Sequence, residues 1–222
     1  MSNETAVTVR EGFQVAKITE DFKKELKGIT LEIPQLKMPA AGGLFFEIDD
    51  EPHKELQGVI ISHGPKNVYF ASEFDGSNLP PDCSSNDGVT GMMRGEEDTE
   101  TGEVAYIPKK CETCEFNEFG SGKNGGKACK EKHQLYILLS GEILPMSLLL
   151  PVSSCKNLNS YASKLFAKGQ FLSDVVTSFT LEKAVNKTNI TYSKIVLKKV
   201  RDLSPEEKVA CADCAKLVEG IE

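Results

Sequence analysis

A chain of 222 residues, 40% hydrophobic and 27% charged, is long enough to bury one substantial core, which excludes a wholly disordered protein. The net charge of -7 excludes a protein that is basic all over, and no apolar run approaches the roughly 20 residues of a membrane span. Met1 to Thr5 carry neither a basic head nor an apolar signal core, so the expected compartment is the cytoplasm, where seven cysteines read as metal ligands or free thiols before disulfides.

The charge is divided along the chain. Glu47 to Glu103 holds 14 acids and 3 bases, Lys156 to Arg201 holds 9 bases and 2 acids, and Asp202 to Glu222 holds 6 acids and 2 bases. Residues 1–55 read as an N-terminal arm with the first strands, since Pro34, Pro39 and the Gly42-Gly43 pair break any long periodicity. Residues 56–63 and 67–72 are β-branched or aromatic runs, predicted as two strands joined by a turn at Gly64-Pro65-Lys66. From 78 to 132 the apolar pattern gives way to Gly, Pro, Ser, charges and four cysteines, and a loop of that length needs something to hold it together.

Regular structure returns with a predicted hairpin over 134–139 and 142–150, where Pro145 suits an edge or a bulge. Ser153 or Ser154 is placed to cap a helix whose Leu158, Tyr161, Ala162, Leu165 and Phe166 share one face, and Gly169 to end it. A second hairpin is predicted over 175–181 and 190–197 around Asn186 to Asn189, followed by a helix opened by Ser204-Pro205-Glu206-Glu207. Strands, a cysteine-rich insert, strands, a helix and two more strands predict a mainly β (α+β) fold. The expected form is an oligonucleotide-binding (OB)-like Greek-key barrel over 56–200 with one internal helix, a zinc-ribbon-like insert and an acidic C-terminal helix or tail over 201–222.

Cys111 and Cys114 form a C-x-x-C knuckle, with Cys129 later and Cys83 earlier in the same loop-like stretch. Four thiolates around one tetrahedral Zn2+ would fold a segment too poor in apolar surface to fold alone, and such a closed site is structural. Free thiols are the plain alternative; a thioredoxin-like redox pair is disfavoured because no βαβ pattern surrounds the knuckle. Cys155 reads as a buried small residue, and Cys211 and Cys214, in an acidic helix without a second pair, as residues with little or no metal role. His53, His63 and His133 are scattered, with no nucleophile motif beside them. Gly120 to Lys127 lacks the order of a phosphate-binding loop, so no catalytic residue is assigned.

The phrases PDCSSNDGVTG from Pro81, CETCEFNEFGSG from Cys111, GKACK from Gly126, LPMSLLLPVSS from Leu144 and FTLEKAVNKTNITYSKIVL from Phe179 together resemble a phage-encoded family of OB-fold, zinc-containing single-stranded DNA-binding proteins. The likeness covers roughly residues 56 to 200. It implies an accessory protein of DNA replication or recombination in a bacterial host's cytoplasm, with Cys83, Cys111, Cys114 and Cys129 at the zinc positions. Phe119 stands where related sequences often carry Trp, and Cys211 and Cys214 have no counterpart in the family pattern.

Single-strand binders pair cations for phosphates with aromatic faces for bases. By strand alternation, Tyr69, Tyr136 and Tyr192 are the aromatics expected on the surface, with Phe179 in the core. Lys123, Lys127, Lys130 and Lys132 of the insert, and Lys183, Lys187, Lys194 and Lys198 of the last hairpin, are the expected phosphate contacts, although any one of them is more ordinarily a solvated surface lysine. The acidic terminus is a candidate contact for replication or recombination proteins. The competing readings are a zinc-stabilised protein-interaction module without nucleic-acid affinity and a nuclease using Asp75, Asp82 and Asp87.

Overall fold

The apolar runs of the sequence become strands buried on both faces, and this organises the molecule. The computed structural model describes residues 13–29, 31–39, 41–72, 80–99, 101–186 and 189–219. In chain order these form α1 (Glu20–Glu25), β1 (Gln35–Leu36), β2 (Phe46–Ile48), β3 (Glu51–His53), β4 (Glu55–Tyr69), β5 (Cys83–Ser85), β6 (Thr90–Glu97), β7 (Val104–Lys110), β8 (Lys130–Leu139), β9 (Met146–Leu150), α2 (Val152–Phe166), β10 (Val175–Val185), β11 (Thr191–Asp202) and α3 (Pro205–Glu219). The fold is mainly β with a large mixed sheet and few helices.

β4 is the hub of a nine-stranded sheet. One edge pairs antiparallel with β8, which leads on to β9 and then to β1, parallel to β9. Its other edge is shared: β10 pairs over Glu55 to Gly58 and carries β11, while β5 pairs over Asn67 to Tyr69 and carries β6 and β7. Among the described residues β11 pairs only with β10, so hydrogen bonding does not close the sheet into a cylinder.

β4 corrects the expected strand, turn and strand. It runs unbroken through Gly64 and Pro65, opposite Gln134 and His133 of β8. Between the stretches held by β10 and β5, its second edge has no neighbour among the described residues, and proline is tolerated in a strand where an edge is open. A second correction concerns 78–132, which is not a loop held by its cysteines alone. Residues of β6 and β7 pair from Thr90↔Lys110 to Glu97↔Val104 and extend the sheet.

Successive residues of the central strands point to opposite faces. Ile60, Ile137 and Val175 enter one core with Phe46, Leu148, Phe179, Ile195 and the buried face of α2, formed by Leu158, Tyr161 and Leu165. Val59, Leu138 and Val176 enter a second core with Phe13, Leu203, Cys211 and Cys214. The N-terminal segment and α3 therefore cover one end of the opposite face, and the acidic C-terminal segment is docked along Pro205–Glu219 as a packed helix.

Two helix starts differ in mechanism. α3 opens with a capping box: Glu207 N donates to Ser204 Oγ at 3.2 Å, and Ser204 N donates to Glu207 Oε2 at 2.8 Å. α2 has no side-chain cap, contrary to the expected serine; Pro151 precedes it, and Ser154 is fully buried, its Oγ accepting from Ile195 N at 3.2 Å. That hydroxyl ties α2 to β11. Gly169, with φ of +70°, follows the helix as expected, and the Gln170 N–H reaches back to Leu165 O at 3.1 Å.

Candidate functional site

Four separate pieces of backbone bring four thiols to one place. Cys83 opens β5, Cys111 follows β7, Cys114 precedes a turn of 3-10 helix over Glu115–Asn117, and Cys129 precedes β8. All four line a cavity of about 20 Å³, space for about one atom-sized occupant. Cys111 and Cys129 are buried; Cys83 and Cys114 are half-buried.

The surrounding hydrogen bonds fix the backbone. Cys111 N donates to Val89 O at 2.8 Å, Cys129 N to Phe116 O at 2.8 Å, and Asn117 Nδ2 to Cys111 O at 3.0 Å. Gly91 on β6 is required for space: a Cβ there would stand 2.8 Å from Cys83 Sγ and 3.7 Å from Cys111 Sγ. A glycine inside a strand marks such a close approach, but the polar run around Gly91 carries no strand pattern in the sequence. Tyr69 stacks on Phe116 beside the cavity with ring centroids 4.1 Å apart and an interplanar angle of 13°.

Burial raises the Cys83 thiol, and negative charge on Cys114 and Cys111 raises it further. Cys129 is pushed up to about 11, by burial first and then by Cys111, Cys114 and Cys83. Cys83 and Cys129 therefore resist ionisation beside the other two thiols unless a cation joins the four. As the side chains stand, no group of three or more His, Cys, Asp or Glu among the described residues converges closely enough to hold a metal ion. The donor set nevertheless suits one: four sulfurs around a single small cavity match the composition of a tetrathiolate zinc site, and neutral thiols gain nothing by closing on one another.

The expected nucleic-acid residues divide into several groups. Lys130, Lys132 and Tyr136 alternate along β8 on the face opposite Leu135 and Ile137. Lys66 of β4 lies directly across from Lys132, and burial together with Lys66 lowers the Lys132 pKa. Lys66 was not expected at the site. Its signal is that two lysines face each other across a strand pair, a costly arrangement unless an anion joins them.

Lys127 is tied into the insert, bonding Glu131 Oε1 at 2.7 Å and Asn117 Oδ1 at 3.3 Å, with its Nζ over the exposed Phe119 ring. Lys123 is exposed in a second 3-10 turn of the insert. On the last hairpin, Tyr192, Lys194 and Lys198 alternate on one face of β11, whereas Lys183 faces Ser193 and lies on the other, so these cations form no single stripe. Lys194 pairs with Glu182 at 3.5 Å. Lys187 lies outside the described residues.

Strand alternation placed the tyrosines on the surface, but Tyr69, Tyr136 and Tyr192 are all half-buried, while Phe179 is fully buried as expected. Tyr69 belongs to the cysteine cavity instead. The acids cited for a nuclease have other partners: Asp82 Oδ2 accepts from Ala71 N at 2.7 Å, and Asp87 Oδ1 accepts from the N–H groups of Val89 and Thr90 in the β5–β6 turn; Asp75 lies outside the described residues. His63 and His133, distant in sequence, meet with Nδ1 and Nε2 3.0 Å apart.

No described helix is long and apolar enough to cross a membrane. Comparison of the chain with protein-family models, curated proteins and solved structures finds no match.

Proposed function

We propose that this chain is a single-stranded DNA-binding accessory protein of phage DNA replication or recombination, acting without sequence specificity and without catalysis in a bacterial host's cytoplasm. The observation that carries the reading is the outward face of β4 and β8, where Lys66, Lys130 and Lys132 surround a strand track that also holds Tyr136. Cations there neutralise phosphates, and a ring on the same face gives a base something to stack on. The strand order β9-β8-β4-β10-β11, with α2 between β9 and β10, supports an OB-like arrangement in which β8 and β9 take the positions of the second and third strands, the usual binding face of such folds.

Cys83, Cys111, Cys114 and Cys129 would hold a structural Zn2+. When bound, the ion would supply the cross-link that fixes β5, β7 and the start of β8 at the root of the insert. The exposed acids of α3, Glu206 and Asp213, would meet replication or recombination proteins.

The test is titration of a labelled thymidine 30-mer at 50 and 200 mM salt, with duplex DNA and single-stranded RNA as competitors. Binding that prefers the single strand and weakens steeply with salt is expected; the absence of binding at 50 mM overturns the DNA reading. Metal content of protein purified without added zinc tests the second part, with about one Zn2+ per chain expected.

A further inference from the structure

The basic segment of the sequence has a structural counterpart apart from the β4–β8 face. α2 and β11 enclose a groove of about 420 Å³, walled by Asn157, Ser160, Lys164, Lys168, Lys198 and Lys199 above a floor that includes Tyr161 and Leu197. Among the described residues no Asp or Glu lines it, in a chain whose net charge is -7. Lys199 reaches out to Asp202 at 2.7 Å and to Gln170 Oε1 at 3.0 Å. Lys164, Lys168 and Lys198 are exposed and form no ion pair among the described residues.

The helix dipole accounts for a lysine at the end of α2, since cations complement the carbonyl end of a helix. It does not account for Lys198 and Lys199, which line the same groove from consecutive positions on opposite faces of β11, a strand whose outer edge is unpaired among the described residues. Asp202 offsets the charge of Lys199, but Lys164, Lys168 and Lys198 are left without a counter-ion among the described residues, and a polyanion along the groove would supply one. The groove shares no lining residue with the β4–β8 face.

We propose that the α2–β11 groove is a second phosphate track, taking the sugar-phosphate backbone of single-stranded DNA through Lys164, Lys168 and Lys198. The inference rests on the DNA-binding reading above but concerns a different surface. Its floor is aliphatic apart from Tyr161, whose hydroxyl is engaged 2.7 Å from Thr177 Oγ1. The track therefore holds backbone, and the bases are read elsewhere.

The experiment compares the full chain with a K164A/K168A/K198A variant, using the thymidine 30-mer between 50 and 200 mM salt. Each single-strand phosphate contact contributes about 0.7 to the slope of log K against log salt, so the variant is expected to lose about 2 from that slope. Across this fourfold salt range the wild type then weakens roughly 16-fold more than the variant. A K17A/K27A/K37A variant, which removes equal charge from exposed sites outside the groove, is expected to keep the wild-type slope. Equal slopes for the groove variant and wild type overturn the second track and leave DNA binding standing, as does an equal loss of slope in both triple variants. A wild type that does not bind overturns both readings. A K164R/K168R/K198R variant keeps the charge and is expected to keep the slope; if it loses slope as the alanine variant does, phosphate contact is not the cause.

Discussion

Arg201 and Glu207 join three parts of the molecule that are far apart in sequence. Arg201 Nη1 and Nη2 donate to Glu207 Oε2 and Oε1 at 2.8 and 2.7 Å, Nη2 also donates to Phe13 O at 2.8 Å, and the guanidinium stands over the Phe13 ring. β11, α3 and the N-terminal segment thus meet at one fork-to-fork ion pair. The Arg201 hydrogen bonds, more than the N–H of Ser204, hold the Glu207 carboxyl at about 2 instead of its ordinary 4.5. At 1.36 kcal/mol per unit that difference corresponds to roughly 3 kcal/mol. The Arg201 side chain is 40% exposed, so solvent screening reduces this to about 1–2 kcal/mol. Glu207→Gln keeps the helix cap in large part, since Gln serves at that position, and removes the charge. The expected result at pH 7 is a loss of about 1–2 kcal/mol, read from urea unfolding. Because the folded pKa is depressed, the contribution is full above pH 4.5 and disappears as pH falls through about 2. The gap between wild type and variant should therefore close over that window. Equal stability at pH 7, or a gap that persists unchanged at pH 2, refutes the assignment.

Four further outcomes follow from other contacts. Gly91→Ala drives a methyl to within 2.8 Å of Cys83 Sγ and is expected to cost about 1–3 kcal/mol in thermal or urea unfolding. Tyr161→Phe removes the buried bond to Thr177 Oγ1 and should cost about 1–2 kcal/mol in the same assay. Truncation before residue 202 takes Leu203, Cys211 and Cys214 out of the second core and exposes Val59, Leu138 and Val176. A loss of several kcal/mol, of the order of a domain's whole stability, should appear as lost cooperative unfolding, not as a simple change in DNA affinity. Burial lowers both His63 and His133 from 6.5, so the unfolded chain binds protons that the folded pair refuses, and stability should fall as pH drops below about 6.5. His133→Gln should flatten that part of the pH profile in urea unfolding.

What the sequence reveals of this fold depends on whether a strand's environment differs between its faces. α2 is legible because Leu158, Tyr161 and Leu165 recur at helical spacing over one core. β8 and β10 are legible as apolar runs, and the structure explains why they hardly alternate: Ile137 and Leu138, like Val175 and Val176, enter different cores. β6 and β7 give no such signal. Met92, Tyr106 and Ile107 are exposed, and most of their neighbours are polar or glycine, so hydrogen bonding to β5 and between the two strands defines them without a buried face.

The same contrast governs the candidate site. Cysteine spacing pointed to Cys83, Cys111, Cys114 and Cys129, and the backbone brings all four to one cavity, because chemistry-bearing residues can be counted without knowing the strands. Which lysines act together was not legible, because it depends on register. Lys66 meets Lys132 only because β4 continues through Pro65, and Lys183 parts from Lys194 only because neighbouring positions in a strand point oppositely. The charge-rich segment from Lys156 to Arg201 shows register and packing at work together: four of its nine bases come from a helix end and a strand that touch only in three dimensions, and these four make the groove. Net charge along a chain thus indicates that a basic surface exists, and only the packing of α2 against β11 says where it is.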